Sequence, residues 1–164
     1  MTAPVSRVRP ARRADVPAIH ALIRELADFE RLTHVCTGTA DDLEQAAFGS
    51  RPAVEVLVAE ELGKIDGFAL FFHTFSTFLG RRGLWLEDLY VRPERRGSGI
   101  GTALLKALAA LAVERGCGRF EWAVLDWNTP AIGFYERMGA TVLPDWRIAR
   151  VTGEALDRLG RDKS

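Results

Sequence analysis

The stretch W-L-E-D-L-Y-V-R-P-E-R-R-G-S-G-I-G, residues 85–101, decides how this chain folds. Its first half is rich in aromatic and branched apolar residues and predicts a β-strand over residues 84–92. Pro93 breaks the strand, glycines alternate in the turn that follows, and apolar residues recur at helical spacing from Ile100 onward. A strand, a glycine turn and a helix in this order present bare backbone N–H groups to an anion at the helix N-terminus.

Two other phosphate-binding patterns are excluded by the residues around this turn. A Walker loop needs Lys followed by Ser or Thr after its last glycine, whereas Thr102 and Ala103 follow Gly101 here. A dinucleotide fingerprint follows the first strand of a βαβ unit, whereas this turn lies in the middle of the chain. Taken alone, alternating glycines are also typical of a flexible helix start with solvated arginines. The pattern by itself therefore leaves both an anion site and a plain turn open.

The rest of the chain alternates strand and helix patterns around this turn. Strands are predicted at residues 5–9, 54–60, 65–75, 84–92, 120–125, 140–143 and 146–151. Helices are predicted at residues 15–30, 39–48, 100–114 and 128–138. Residues 153–164 form a polar tail that is expected to fray, although Leu156 and Leu159 are spaced to anchor a short helix. These patterns predict one α/β domain over residues 1–164, with its core at 5–152.

The composition argues against several classes of function. The chain has 164 residues, of which 48% are apolar and 27% charged, as in soluble globular proteins. Its 22 acidic and 22 basic residues balance, so no overall field favours nucleic acid or an anionic membrane. Two distant cysteines form no disulfide framework, and three histidines show no metal-ligand spacing. Without an apolar leader or a membrane span, we expect a cytoplasmic protein that has no metal site.

Further motifs make the anion site specific. The segment R-R-G-S-G-I-G resembles the R/Q-x-x-G-x-G/A pattern of the GCN5-related N-acetyltransferase superfamily, with Arg96, Gly99 and Gly101 at the defining positions. In that family this loop holds the pyrophosphate of acetyl-coenzyme A. Three segments also resemble the branch that acetylates diamines and thialysine. They are E-L-A-D-F-E-R-L at 25–32, W-L-E-D-L-Y-V at 85–91 and A-V-L-D-W-N-T-P-A-I-G-F-Y at 123–135.

The resemblance implies a fold and a cofactor site. Its members have a mixed, mostly antiparallel central sheet flanked by helices, and here strands 84–92 and 120–125 would splay apart around the pantetheine arm. The implied cofactor-binding residues are Leu89, Tyr90, Val91, Arg96, Gly97, Ser98, Gly99, Ile100, Gly101, Thr102, Asn128 and Ala131. Backbone amides left unpaired by the splay need hydrogen-bond partners, which the amides of the cofactor would supply.

Two residues are candidates for proton transfer. Tyr135 lies on the apolar face of a predicted helix, where a tyrosine is ordinarily a packing residue. The resemblance instead implies that Tyr135 is the general acid, which protonates the coenzyme A thiolate as it leaves. Glu87 is a carboxylate inside an apolar strand and is expected to take a proton from the ammonium group of the acceptor, through water. Asp88 follows it, and regular alternation places the two side chains on opposite faces.

The acceptor site is expected to be acidic and aromatic. The resemblance implies that Phe29 and Glu30, at the end of the first helix, bind the acceptor together with Glu87, Asp88 and Trp127. Without the resemblance, Phe29 would be a core ring beside a surface acid, and Trp127 a packing residue. An aromatic face next to a carboxylate is suited to a cationic amine.

These observations lead to one expected function and two alternatives. We expect transfer of an acetyl group from acetyl-coenzyme A to a small primary amine, by direct attack in a ternary complex, because neither cysteine is paired with a histidine in the sequence. One alternative acceptor is the amine of a protein or peptide. The other alternative is a non-catalytic acyl-coenzyme A sensor, which would need neither Tyr135 nor Glu87. The resemblance also implies a homodimer.

Overall fold

A computed structural model describes residues 6–161, which form parts of two compact units, Met1–Ala123 and Val124–Ser164. Val5, in the first predicted strand, and residues 162–164 of the tail lie outside the described residues. The organisation of residues 1–164 as one domain with a core at 5–152 stays a prediction.

The first unit contains one five-stranded sheet in the order β1-β2-β3-β4-β5. The strands are β1 (Arg7–Pro10), β2 (Glu55–Glu61), β3 (Lys64–Ser76), β4 (Arg81–Val91) and β5 (Arg119–Trp122). Neighbouring strands are antiparallel except β4 and β5, which are parallel. The sheet confirms the predicted mixed, mostly antiparallel architecture.

Helices pack on the two faces of this sheet. They are α1 (Val16–Phe29), α2 (Ala40–Phe48) and α3 (Ile100–Glu114), with single 3₁₀ turns at Arg13–Asp15, Thr33–Val35 and Pro93–Arg95. One face packs against α1, where Leu22 joins Val58 and Phe68 in the buried core. The other face packs against α3: a Cβ on Gly67 would lie 3.0 Å from Ile100 Cγ2, so the missing side chain lets the start of α3 lie close to the sheet.

The second unit contains α4 (Thr129–Arg137) and α5 (Gly153–Arg161). The strands predicted at 140–143 and 146–151 are wrong, because this part of the described chain has no regular structure. Pro144 lacks an N–H to donate, and Trp146 and Ile148 are mostly exposed, so no neighbouring strand rewards an extended conformation here. The short helix in the tail is present, but Leu156 and Leu159 are more than half exposed and do not anchor it.

Candidate active site

A β-bulge in β4 brings two carboxylates to the same face of the sheet. Leu86 lies opposite Phe71 and Asp88 lies opposite Leu70, which leaves Glu87 as an extra residue with no partner on β3. The side chain of Glu87 accepts a hydrogen bond of 2.9 Å from Trp85 Nε1, on the face that packs against α1. Asp88 shares that face through its pairing with Leu70, a member of the α1 core.

The prediction that Glu87 and Asp88 point to opposite faces is therefore wrong. The physical reason is the extra residue, since a bulge interrupts the two-residue alternation of a regular strand. The sequence carried a signal of this interruption: the apolar positions Leu84 and Leu86 are even-numbered, whereas Leu89 and Val91 are odd-numbered.

Glu30 joins these two residues, and we call Glu30, Glu87 and Asp88 the acidic group. Glu30 caps the C-terminus of α1 and is half-buried, and burial raises the pKa of its carboxyl. Burial, followed by the negative charges of Glu87 and Glu30, raises the pKa of Asp88 to about 7. Three acids held together in this way attract a cation, and an acid with a pKa near neutrality is suited to accept a proton at physiological pH.

The glycine turn presents open backbone at the start of α3. Gly97 and Gly99 have positive φ angles of 78° and 88°, which favour glycine, and a Cβ on either would have no atom within 4 Å. Gly99 is the N-cap of α3 and has no side chain to accept from the first N–H groups of the helix. Ser98 Oγ donates to Arg95 O at 2.6 Å and closes the turn. This open backbone fits the pyrophosphate of coenzyme A.

The strand that leads into the turn has a free edge. β4 pairs with β5 only from Gly83 to Leu86, so residues 87–91 have no β5 partner among the described residues. Leu89, Tyr90 and Val91 lie in this segment, as the predicted splay requires. The edge is suited to hydrogen-bond an extended amide-containing arm.

The side chains of Arg95 and Arg96 both contact other side chains of the protein. Arg95 forms an ion pair with Glu61, and its Nε lies 3.5 Å from Asp66 Oδ2. The guanidinium of Arg96 lies over two aromatic rings, 4.8 Å from the ring centre of Phe29 and 5.5 Å from that of Tyr90. Arg96 thus connects the glycine turn with the end of α1.

Asp66 supports the glycine turn, a role that the sequence patterns did not predict. It is 3% exposed, and its carboxylate lies 3.3 Å from Lys64 Nζ and close to Arg92 and Arg95. Its carbonyl oxygen accepts the backbone N–H of Arg92 at 2.9 Å. The available signal was an acid inside the apolar run I-D-G-F-A-L-F-F, a position that requires cationic partners. Asp66 fixes the segment through which β4 enters the glycine turn.

Ile100, Gly101 and Thr102 form the first turn of α3, and the other predicted residues lie in the second unit. Asn128 caps α4, where its Oδ1 accepts from Ala131 N at 3.4 Å and its carbonyl oxygen from Ile132 N at 3.0 Å. Tyr135 lies in the same helix, is half-buried and has its ring centre 5.4 Å from that of Phe134. Trp127 precedes the cap and is 49% exposed. The structure confirms the cap, while the roles of these residues in acetyl transfer stay predictions.

Neither a metal-binding cluster nor a membrane-spanning helix is present among the described residues. Between residues 6 and 161, no cluster of three or more His, Cys, Asp or Glu is arranged to hold a metal ion. Within the same range, every helix is too short or too polar to cross a bilayer.

The chain is similar to known acetyltransferases along most of its length. Residues 20–140 match the model of the "Acetyltransferase (GNAT) family". The L-ornithine N5-acetyltransferase NATA1 of Arabidopsis thaliana is 38% identical over 95% of this chain and 88% of its own. The thialysine N-epsilon-acetyltransferase of Mus musculus is 39% identical over 94% of this chain and 96% of its own.

Solved structures share the fold. An integron cassette protein from the mobile metagenome of V. cholerae aligns with a TM-score of 0.81 over 97% of this chain and 99% of its own. Its sequence identity is 24%, so this likeness concerns the fold alone.

Proposed function

Because the chain belongs to the GNAT family of acetyltransferases, we propose that it acetylates a primary amine of a small cationic molecule such as ornithine, thialysine or a diamine. The observation that carries this choice of acceptor is the acidic group, in which the bulge in β4 brings Glu87 and Asp88 to one face and Glu30, at the end of α1, adds a third negative charge near Asp88. The names of two similar proteins, an ornithine and a thialysine acetyltransferase, support it.

We assign binding of the cofactor to the turn and to the free strand edge. Residues 96–102 would hold the pyrophosphate through backbone N–H groups, while residues 89–91 would hydrogen-bond the pantetheine arm. From the family resemblance, we also propose that Asn128 and Ala131, at the start of α4, bind the cofactor. When bound, acetyl-coenzyme A supplies a thioester, whose carbonyl carbon is attacked by the neutral amine.

The acceptor must lose a proton before it attacks, since an alkylammonium has a pKa of about 10.4. We assign this proton to the pair Glu87 and Asp88. Asp88 has a pKa of about 7, so it is suited to accept and release protons near neutrality, and Glu87 and Glu30 attract the cation. Phe29 would supply an aromatic face to the cation. The family resemblance assigns Trp127 to acceptor binding as well.

Tyr135 would protonate the departing thiolate. Phenol and thiol have ordinary pKa values of about 10 and 8.5, so the proton transfer is close to balanced. Loss of a general acid costs about a hundredfold to ten-thousandfold in rate. The Tyr135→Phe variant is accordingly expected to lose at least a hundredfold in kcat while it keeps its affinity for coenzyme A.

The test of the proposal is thiol release from acetyl-coenzyme A with L-ornithine, thialysine, spermidine, lysine, an aminoglycoside and lysine-containing peptides. We expect turnover with small di-cationic amines and little with peptides. Preference for a peptide would replace the small-molecule proposal with the protein-acetyltransferase alternative. Tight binding of acetyl-coenzyme A without turnover on any amine would support a sensor.

We further propose a homodimer, from the family resemblance, and a location in the cytoplasm, from the composition of the sequence. Light scattering on the purified protein gives the mass in solution, and a mass of one chain would contradict the dimer. Fractionation of the native cells tests the location.

A further inference from the structure

Arg96 occupies the place where two proposed binding sites meet. Its guanidinium lies 4.8 Å from the ring centre of Phe29, at the end of α1, and 5.5 Å from that of Tyr90. Its Nε donates to Val91 O at 3.1 Å, at the end of the free edge of β4. One cation therefore touches the acceptor side and the cofactor side at the same time.

The other arginines around the turn are tied to carboxylates. Arg92 Nη1 lies 3.1 Å from Glu25 Oε1, and Arg95 pairs with Glu61. Within the part of the chain that the structure describes, Arg96 is exposed and has no carboxylate within ion-pair distance. Arg96 is thus held by aromatic rings and one carbonyl oxygen, contacts that an anion with two phosphate groups is able to outcompete.

These contacts put two cations in competition for one surface. The ring of Phe29 is the aromatic surface that the proposed function gives to the ammonium group of the acceptor. In this structure, however, the guanidinium of Arg96 covers it. Two positive groups cannot share one ring face without repulsion. Whatever removes Arg96 from the ring therefore helps the acceptor to bind.

We propose that Arg96 couples the two sites: without cofactor it competes with the acceptor's ammonium group for the ring of Phe29, and the pyrophosphate of coenzyme A draws it away. This inference rests on the proposed function and adds a binding order to it. The amine binds more tightly after coenzyme A, and by thermodynamic reciprocity coenzyme A binds more tightly in the presence of the amine. Cation–π contacts of this kind correspond to roughly two- to thirtyfold in affinity.

The test is calorimetric titration of L-ornithine, thialysine and spermidine into the protein, alone and saturated with coenzyme A. Free coenzyme A carries no acetyl group, so the titration measures binding without turnover. In the wild type, the best of the three amines is expected to bind two- to thirtyfold more tightly when coenzyme A is present. Equal affinities in the two states would overturn the coupling and leave the proposed function in place.

Two variants locate the coupling. Arg96→Gln is expected to bind the amine more tightly than the wild type in the absence of coenzyme A, with the ratio of the two affinities reduced to about one. A gain in affinity distinguishes this role from damage to the fold. A general electrostatic effect would raise affinity in both states and preserve the ratio. Phe29→Leu is expected to weaken binding of the amine and also to reduce the ratio of its affinities with and without coenzyme A to about one.

A matched control is available at the other end of α1. Arg13 lies over the ring of Phe48 at 5.9 Å and is an exposed arginine on a phenylalanine. Arg13→Gln should leave the ratio at the wild-type value. The inference would be overturned if Arg96→Gln kept the wild-type ratio of amine affinities with and without coenzyme A. It would also be overturned if this ratio fell to about one in Arg13→Gln. Failure of the wild type to bind coenzyme A or any amine would overturn the proposed function together with it.

Discussion

Two aspartates on neighbouring strands are both at least half-buried, and they differ in the charge of the side chains around them. Asp66 on β3 is 3% exposed and faces the cations Lys64, Arg92 and Arg95. Asp88 on β4 is half-buried beside Glu87 and Glu30, and its pKa is about 7. Burial among opposite charges fixes the conformation of the glycine turn. Burial among like charges prepares a carboxyl group for proton transfer and costs stability.

Replacement of Asp66 is the largest expected change. Asp66→Asn removes the buried anion that the half-buried side chains of Arg92 and Arg95 share, and loss of one partner of a buried ion pair costs roughly 3 kcal/mol or more. The free energy of unfolding in urea measures it. Lys64→Gln is the control on the exposed side of the same cluster and should cost less than about 1 kcal/mol. Equal losses in the two variants would mean that Asp66 is not the anchor.

Replacement of Asp88 is expected to affect turnover and to spare the fold. Asp88→Asn removes the candidate proton acceptor with the raised pKa, so kcat should fall by about a hundredfold, within the usual range for a general base. Steady-state thiol release at saturating acetyl-coenzyme A measures this effect. Glu87→Gln is the variant to compare with Asp88→Asn, because the side chain of Glu87 is exposed and accepts a hydrogen bond from Trp85. A larger loss in Glu87→Gln would assign the proton to Glu87.

The pH dependence of stability gives Asp88 a second signature. Its pKa is about 7 in the folded protein and near its ordinary value of 3.8 when unfolded, so the unfolded chain releases this proton first as pH rises. Asp88 therefore destabilises the fold progressively between about pH 4 and pH 7. A rise of the pKa from 3.8 to about 7 corresponds to at most about 4 kcal/mol. Because solvent screens this half-buried group, Asp88→Asn should gain roughly 2 kcal/mol in unfolding free energy relative to the wild type over this interval. A constant difference between the two proteins would contradict the raised pKa.

Glu30 is expected to have the smallest effect. Its negative charge contributes to the raised pKa of Asp88 after burial and Glu87. Glu30→Gln should move the acidic limb of the pH profile of kcat/KM to lower pH by less than about one unit. Asp28→Asn, at an exposed acid on the same helix, is the control and should leave the limb in place. If the acidic limb of the kcat/KM profile stayed in place in Glu30→Gln, the charge of Glu30 would not act on the pKa of Asp88.

The sequence predicted local order well and tertiary contacts poorly. The glycine turn, the N-terminus of α3 and the cap at Asn128 follow from residues that are adjacent in the chain, and all three are present. By contrast, the ring of Phe29 under Arg96 and the cations around Asp66 come from residues distant in sequence. Such contacts depend on how helices and strands pack, which single-residue patterns do not encode.

Two errors have more local causes. The strands predicted at 140–151 rested on alternating apolar residues, but a strand also needs a neighbour to satisfy its backbone, and the described chain provides none there. The faces of Glu87 and Asp88 were predicted from regular alternation, and the bulge removed that regularity. The change from even to odd apolar positions after Leu86 was visible in the sequence and predicts a bulge at this point.

The bulge also makes the faces of β4 depend on how the strand pairs with β3. The strand pairs regularly with β3 up to Leu86 and again from Asp88 onward, and Glu87 is the single residue between these two segments. If the bulge were lost while Glu87 stayed in place, Glu87 would pair with Leu70, and every side chain from 88 to 91 would change face. Tyr90 would leave Glu25, and Asp88 would turn away from Glu30. Deletion of Glu87 would instead leave Asp88 opposite Leu70 and residues 88–91 on their present faces, so it removes one charge, as a substitution at the same position does.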